Sequence, residues 1–253
     1  MSENTADKQL IRLDMAVAAK LNISRTIAAD IIEKGRVKVK GKTIYKAGEK
    51  VDSGFDIEIE EGTKTFVSRG GFKLQAALKG FSINLAGLIC MDVGASAGGF
   101  TDCMLKNGAK KVYAIDSGTG QLKEALRENP AVISMENTDI RSLDAGTLPK
   151  MDFVCIDVSF ISLDKVLPKV YDLMAGNSRG IVLLKPQFEA GPGAVNKKGI
   201  IKNTKVRQKV LDSFYIYAKN MGFICKGHME SPIKGAGGNE EFLVHLAKGG
   251  QNT

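Results

Sequence analysis

An apolar run, Leu88-Ile89-Cys90-Met91, leads into Asp92 and then a turn of small residues, Val93-Gly94-Ala95-Ser96-Ala97-Gly98-Gly99, before Phe100 opens a helical pattern. Residues this small let a backbone approach a ligand closely, and a strand, turn and helix in that order present the ligand at the strand's C-terminal end. A second apolar run ends in Asp116, 18 residues after Gly98, where a carboxylate suits ribose hydroxyls. The spacing D-x-G-x-x-x-G-G lacks the G-x-G-x-x-G order that brings a pyrophosphate onto a helix start. An adenosine ligand without a pyrophosphate therefore fits better than a dinucleotide. S-adenosylmethionine is such a ligand, with Asp92 supplying negative charge near its amino group; a dinucleotide and a purely structural turn are the alternatives. Asp139 stands where an adenine edge could bind, or else caps a helix.

Two later apolar runs also end in charge, at Asp157 and at Lys185, and a last one follows Gly237-Gly238-Asn239-Glu240-Glu241. A lysine in such a place, taken alone, is equally well a surface cation beside a carboxylate. What must position these residues is a set of strands. The runs at 88–93, 111–116, 132–136, 151–157 and 179–186 are near-continuously apolar with helical patterns between them, which predicts an α/β fold with a mostly parallel sheet covered on both faces. In such a sheet the ends carrying Asp157 and Lys185 collect on the same edge as the Gly94 to Gly99 turn. The last strand is expected to begin at Gly237. A loop rich in Pro and Gly, 186–199, could close over a substrate, and a helix is expected over 205–221.

The first sixty residues read differently. Helical spacing covers 12–21 and 25–34, with Ser24 as N-cap and Gly35 as terminator, after which the period changes to two through Arg36, Lys38 and Lys40. Between Lys34 and Lys50 there are seven basic residues and one acid, Glu49, which makes a cationic strip or simply a solvated strand face. The whole chain of 253 residues carries a net charge of +8, consistent with a polyanionic partner. No run approaches the roughly 18 to 20 apolar residues of a membrane span, so the expectation is a cytoplasmic protein with no membrane role. Cys90, Cys103, Cys155 and Cys225 form no C-x-x-C pair, and with only His228 and His245 beside them a metal centre is not expected.

The runs VSRGGFKL, DVGASAGGFTDC, YAIDSGTGQL, IDVSFISL, LLKPQFEAG and GNEEF together resemble the TlyA group of the FtsJ-like 2′-O-ribose RNA methyltransferases, relatives of which carry the label hemolysin A. The order of parts before them resembles the alpha-L RNA-binding fold named after ribosomal protein S-four. The resemblance implies a Rossmann-like S-adenosylmethionine-dependent methyltransferase sheet with a small N-terminal α+β module: an RNA-binding domain at 1–62, a linker at 63–72 and a methyltransferase domain at 73–253. It implies a Lys-Asp-Lys-Glu tetrad at Lys73, Asp157, Lys185 and Glu241. Glu241 is preferred to Glu240 because it directly precedes Phe242. It implies a cofactor site at Asp92, Gly94, Ala95, Ser96, Gly98, Gly99, Phe100, Asp116 and Asp139, and RNA contacts at Arg25, Lys34, Arg36, Lys38, Lys40, Lys42 and Arg69.

The implied reaction moves a methyl group from S-adenosylmethionine to a ribose 2′-hydroxyl of ribosomal RNA, on a cytidine, with ribosomal RNA or ribosomal subunits as partners. A hydroxyl is a poor nucleophile until its proton is removed, so a base is needed, and Lys185 is the favoured one. A free lysine titrates near 10.4, so a lysine acting as base at neutral pH needs desolvation or a neighbouring cation, for which Lys73 is placed. Asp157 and Glu241 would orient the two amines. The rival expectations are a non-catalytic RNA-binding factor, a membrane-active hemolysin and a nicotinamide dehydrogenase.

Overall fold

The structure is a computed structural model that describes residues 10–249 apart from 22, 34, 61–64, 192 and 197. Lys34, one of the expected RNA contacts, lies outside the described residues. The chain divides into two units, Met1–Arg69 and Gly70–Thr253.

Unit one holds β1 (Leu10–Arg12), α1 (Leu13–Leu21), α2 (Arg25–Glu33), β2 (Val37–Val39), β3 (Lys42–Thr43), β4 (Lys50–Asp52) and β5 (Ile57–Ile59). The expected first helix starts one residue later than its pattern, because Leu10 to Arg12 pair antiparallel with Lys50 to Asp52. In α2 the buried residues are Ile27, Ala28, Ile31 and Ile32, the face that the i, i+4 spacing gives. Gly35, at φ 70°, ends that helix in the left-handed conformation. Strands β3, β2 and β5 form a second small sheet, in which Val37 and Val39 point inward while Lys38 between them is exposed. The turn from β2 to β3 has φ 51° at Lys40 and 72° at Gly41, the pair of left-handed residues that a tight hairpin requires.

Unit two opens with α3 (Gly70–Gly80) and continues through β6 (Ile89–Val93), α4 (Gly99–Lys106), β7 (Lys111–Ile115), α5 (Glu124–Arg127), β8 (Val132–Met135), β9 (Met151–Ile156), α6 (Leu167–Leu173), β10 (Met174–Leu184), α7 (Pro186–Glu189), α8 (Thr204–Asn220), β11 (Phe223–Glu230) and β12 (Phe242–Lys248). One seven-stranded sheet runs in the order β11-β12-β10-β9-β6-β7-β8. The five strands from β10 to β8 are parallel, whereas β12 is antiparallel to both β10 and β11. Alternation sorts the parallel strands: Met91, Val93, Val154, Ile156, Val182 and Leu184 pack with α6 and α8 on one face. On the other face Asp92 meets Thr101 of α4, and Cys155 meets Met104.

Several expectations need correction. Gly70, Gly71 and Phe72 were assigned to a linker, yet they form the first turn of α3, and neither glycine takes a positive φ. Packing overrides the low helix propensity of glycine here, since Gly71 is buried with Leu74, Ala77 and Leu78. No α-helix separates β8 from β9, only a single turn at Ile140–Ser142. The last strand begins at Phe242 rather than Gly237, which lies in a turn at φ 69°. The loop expected over 186–199 starts as the short helix α7.

Candidate active site

The C-terminal ends of the parallel strands lie along one edge of the sheet, and because β12 runs the other way its N-terminal end joins them. Glu241 before β12, Lys185 after β10, Asp157 after β9, Asp92 within the end of β6 and Asp116 after β7 therefore occupy five adjacent strand ends in that order. The antiparallel reversal explains why one acid precedes its strand while the other charged residues follow or close theirs. Leu184 pairs with Phe242, so Lys185 and Glu241 sit one step beyond the last ladder pair, on strands about 5 Å apart.

Helix α3 carries Lys73, the remaining member of the expected tetrad. It packs against α4 and β12, and Lys73 emerges beside its apolar stripe. Lys73 Nζ donates to Glu241 Oε2 at 2.6 Å, in a pair whose side chains are 10% and 2% exposed. A Cβ on Gly235 would fall on the Glu241 carboxylate and displace it. Lys185 Nζ lies 2.6 Å from Asp157 Oδ1 and donates to Ser159 Oγ at 2.8 Å. Glu240 takes no part in these pairs; it meets Arg207 and Lys234 instead. The four expected residues thus form two short ion pairs, Lys73 with Glu241 and Lys185 with Asp157, and the two adjacent glutamates have different partners.

Beneath the glycine turn, Asp92 is fully buried. Its Oδ2 accepts from the Thr101 N–H at 2.8 Å and the Thr101 hydroxyl at 2.6 Å, while Oδ1 is buried with no partner among the described residues. Burial pushes the Asp92 carboxyl up to about 7, and the nearby Asp157 and Asp116 push the same way against the Thr101 bonds. Asp116 is pinned at the end of β7: Oδ2 accepts from Ser96 N–H and Oδ1 from Gly118 N–H, both at 2.7 Å. A carboxylate offers about four lone-pair positions, so capacity remains for two ribose hydroxyls.

The turn's glycines serve the protein as much as a ligand. Gly94, at φ 84°, lies so close to β9 that a Cβ would meet Asp157 O at 2.5 Å. Gly98, at φ 89°, is covered by Leu122 and Leu126. Phe100 was expected at the cofactor, but its side chain is 3% exposed in the core. Ala95 and Gly99 are buried as well, which leaves Ser96 exposed and Gly94 half-buried at the surface of the turn. Asp139 caps the turn at Ile140–Ser142 and binds Arg141 through both carboxylate oxygens.

These features fit S-adenosylmethionine. An unpartnered buried carboxylate oxygen answers a cationic amino group, Asp116 keeps acceptors for a ribose, and neither a pyrophosphate-binding turn nor its glycine order is present. Sequence reading missed Thr101, Ser159 and Glu189. The last accepts from Ser162 and Leu163 near Lys185. Ser159 sits two positions past Asp157, where a loop polar residue after a charged strand end is the only sign it gives. Phe160 beside it is 91% exposed at φ 62°, its ring 5.0 Å from that of Phe188.

In unit one, the exposed cations Arg36, Lys38, Lys40 and Lys42 line the hairpin. Arg25 is exposed too, with its guanidinium held by the buried Asp14, which also binds Arg12. The two guanidiniums hold the Asp14 carboxyl down to about 2. Arg69 is exposed at the end of the unit.

Fold and site together define a Rossmann-like S-adenosylmethionine-dependent methyltransferase that carries a separate RNA-binding unit. The chain belongs to the FtsJ-like methyltransferase family, whose model matches residues 66–248, and residues 11–57 match the S4 domain. A Bacillus subtilis protein described as a candidate rRNA methyltransferase, YqxC, is 42% identical over 93% of this chain and 85% of its own length. The 16S/23S rRNA (cytidine-2′-O)-methyltransferase TlyA of Mycobacterium tuberculosis is 36% identical over 95% of this chain and 88% of its own. A solved structure from Streptococcus thermophilus, whose name carries the word hemolysin, has a TM-score of 0.73 at 39% identity, covering 96% of this chain and 90% of that one. Among the described residues no helix is long and apolar enough to cross a membrane.

Proposed function

We infer that this protein methylates the 2′-hydroxyl of a cytidine in ribosomal RNA, in the cytoplasm where ribosomes are found. The observation that carries this reading is the amine of Lys185, 2.6 Å from Asp157 and 9% exposed, at the strand end next to the cofactor turn. S-adenosylmethionine, when bound, supplies a methyl group already activated on a sulfonium. Asp92, Ser96 and Asp116 hold that cofactor, with the Gly94 backbone against it. Lys185 Nζ would take the proton of the 2′-hydroxyl, and the freed oxygen would accept the methyl as its bond to sulfur breaks and the sulfonium becomes a thioether. Asp157 and Ser159 orient that amine. Lys73, held by Glu241, places a positive charge beside the developing oxyanion.

RNA as substrate is supported from both units. Arg25, Arg36, Lys38, Lys40 and Lys42 offer backbone phosphates a cationic surface that positions RNA without reading sequence. Phe160 and Phe188 present aromatic faces beside Lys185, suited to a base lifted from its stack. The relatives named for rRNA cytidine 2′-O-methylation over nearly the whole chain point the same way. The test is incubation with labelled S-adenosylmethionine and separated ribosomal subunits, followed by mass spectrometric mapping. A labelled 2′-O-methylcytidine is expected. Bound cofactor with no labelled RNA on either subunit would overturn the reading.

A further inference from the structure

The loop that follows β9 is fastened at both ends to the corner where β10 turns into α7. At its start Asp157 and Ser159 both meet Lys185 Nζ, at 2.6 and 2.8 Å. At its far end Glu189, four residues past Lys185, reaches back: Oε2 accepts from the Ser162 hydroxyl at 2.6 Å and Oε1 from the Leu163 N–H at 2.9 Å. Between the two fastenings Phe160 is held at φ 62°, a left-handed conformation that bulky side chains take only where their surroundings impose it.

Packing and hydrogen bonds act on this loop together: Val158 and Ile161 pack against the core, and Leu163 is 2% exposed within it. Only at its far end, at Ser162 and Leu163, does the loop border a groove of about 460 Å³, which Glu189, Val206, Val210 and Phe214 line from the other side. That end is held by backbone bonds from the Lys165 N–H to Ser162 O and from the Val166 N–H to Leu163 O, and by the two bonds that Ser162 and Leu163 give to Glu189, the only side-chain hydrogen bonds of those two residues among the described residues. Glu189 is half-buried, and burial pushes its carboxyl up, so a carboxylate is a costly choice for this position unless the bonds it accepts matter.

We propose that Glu189 is a positioning residue for methyl transfer: by gripping Ser162 and Leu163 it fixes the Asp157–Leu163 loop, and through that loop the direction of the Lys185 amine. Glu189 touches no reacting atom. It ties the end of α7, the helix that follows Lys185, to the loop after β9, so that the two strand ends act as one rigid part. The inference rests on the ribose-methylation reading above.

The test compares wild type, Glu189→Ala, Glu189→Gln and Ser162→Ala in single-turnover methylation of ribosomal subunits at saturating S-adenosylmethionine, with cofactor affinity by calorimetry and thermal unfolding alongside. A displacement of the base by a fraction of an ångström to one ångström slows chemistry steeply, so Glu189→Ala is expected to lose about 10- to 100-fold in rate with cofactor affinity within about twofold. Glutamine can still accept from Leu163 and bond to Ser162, so Glu189→Gln should stay within about threefold of wild type. Ser162→Ala removes one of the two bonds and should fall between them. A wild-type rate in Glu189→Ala, or equal losses in the alanine and glutamine variants, would refute the positioning role, as would a rate loss matched by loss of cofactor binding. Should Glu189→Ala fail to fold, Ser162→Ala decides, a wild-type rate there counting against the idea. A wild-type protein that methylates neither subunit refutes the ribose-methylation reading itself, and the positioning role goes with it.

Discussion

Lys73 and Lys185 are alike in type and burial but differ in what surrounds the partner acid. Glu241 is sealed with Lys73, whereas the Asp157 side chain is 23% exposed and shares Lys185 with a serine. Removing one member of a sealed pair strands the other charge, so Lys73→Ala should cost about 3–5 kcal/mol of stability, read by urea unfolding. Lys185→Ala should leave the fold intact and lower single-turnover methylation about 100- to 10,000-fold, with S-adenosylmethionine affinity retained. Asp92 makes a different kind of expectation. Its carboxyl moves from an ordinary 3.8 to about 7 on folding, so between those values the folded protein holds a proton that the unfolded chain has released. Its contribution to stability is therefore full below pH 3.8 and lost as pH rises through about 7, by at most about 1.4 kcal/mol per pH unit. Asp92→Asn should flatten that part of the melting-temperature profile relative to wild type while weakening the cofactor. Asp157 and Lys185 were legible in the sequence because each ends an apolar run. Lys73 was not, except through resemblance, since a lysine on a helix has no such punctuation. Thr101, Ser159 and Glu189 escaped because their partners are fixed by the fold: Asp92 lies nine positions from Thr101, and Leu163 twenty-six from Glu189.

Elements constrain the site through backbone contact as well as through side chains. The turn after β6 touches the end of β9, where Gly94 leaves no room for a methyl group against Asp157 O. Gly94→Ala would both strain a φ of 84° and push Asp157 out of line, at a cost of about 1–3 kcal/mol. Denaturation should show that loss, and calorimetry a weaker cofactor. The parallel strands were readable because strands covered on both faces must be apolar almost throughout. Two other features were not, one a helix start and one a strand order. The paired glycines before Lys73 fall in the expected linker at 63–72, yet burial of Gly71, Leu74 and Ala77 goes with their place at the start of a helix. The insertion of β12 between β10 and β11 leaves no mark in periodicity, because a buried strand has the same apolar composition in either direction.

At the scale of the whole molecule, the excess of positive charge is not spread evenly in its use. Arg25 is tied to Asp14, and Arg207 to Glu240, so these two cations are partly spent inside the protein. Lys38, Lys40 and Lys42 are exposed along one hairpin, Lys40 with its ammonium 3.6 Å from the centre of the Phe55 ring. Replacing these three with glutamine should weaken binding to ribosomal RNA across sequences alike and reduce the slope of log affinity against log salt by about one per residue. Cofactor affinity should not change, since the cofactor residues lie in the other unit. The basic character was plain from composition, but which cations are free for RNA depended on partners that only the fold reveals.

The reversed direction of β12 also bears on synthesis. Lys73 waits for a carboxylate 168 positions further along the chain, on a strand that slots between two made earlier. While translation is still short of Glu241, a nascent polypeptide has three of the four charges, an unmatched ammonium in an apolar setting and open edges on β10 and β11 that invite wrong pairing. A chain that stops short of this strand therefore lacks one of the four charges and leaves the facing edges of β10 and β11 without their partner.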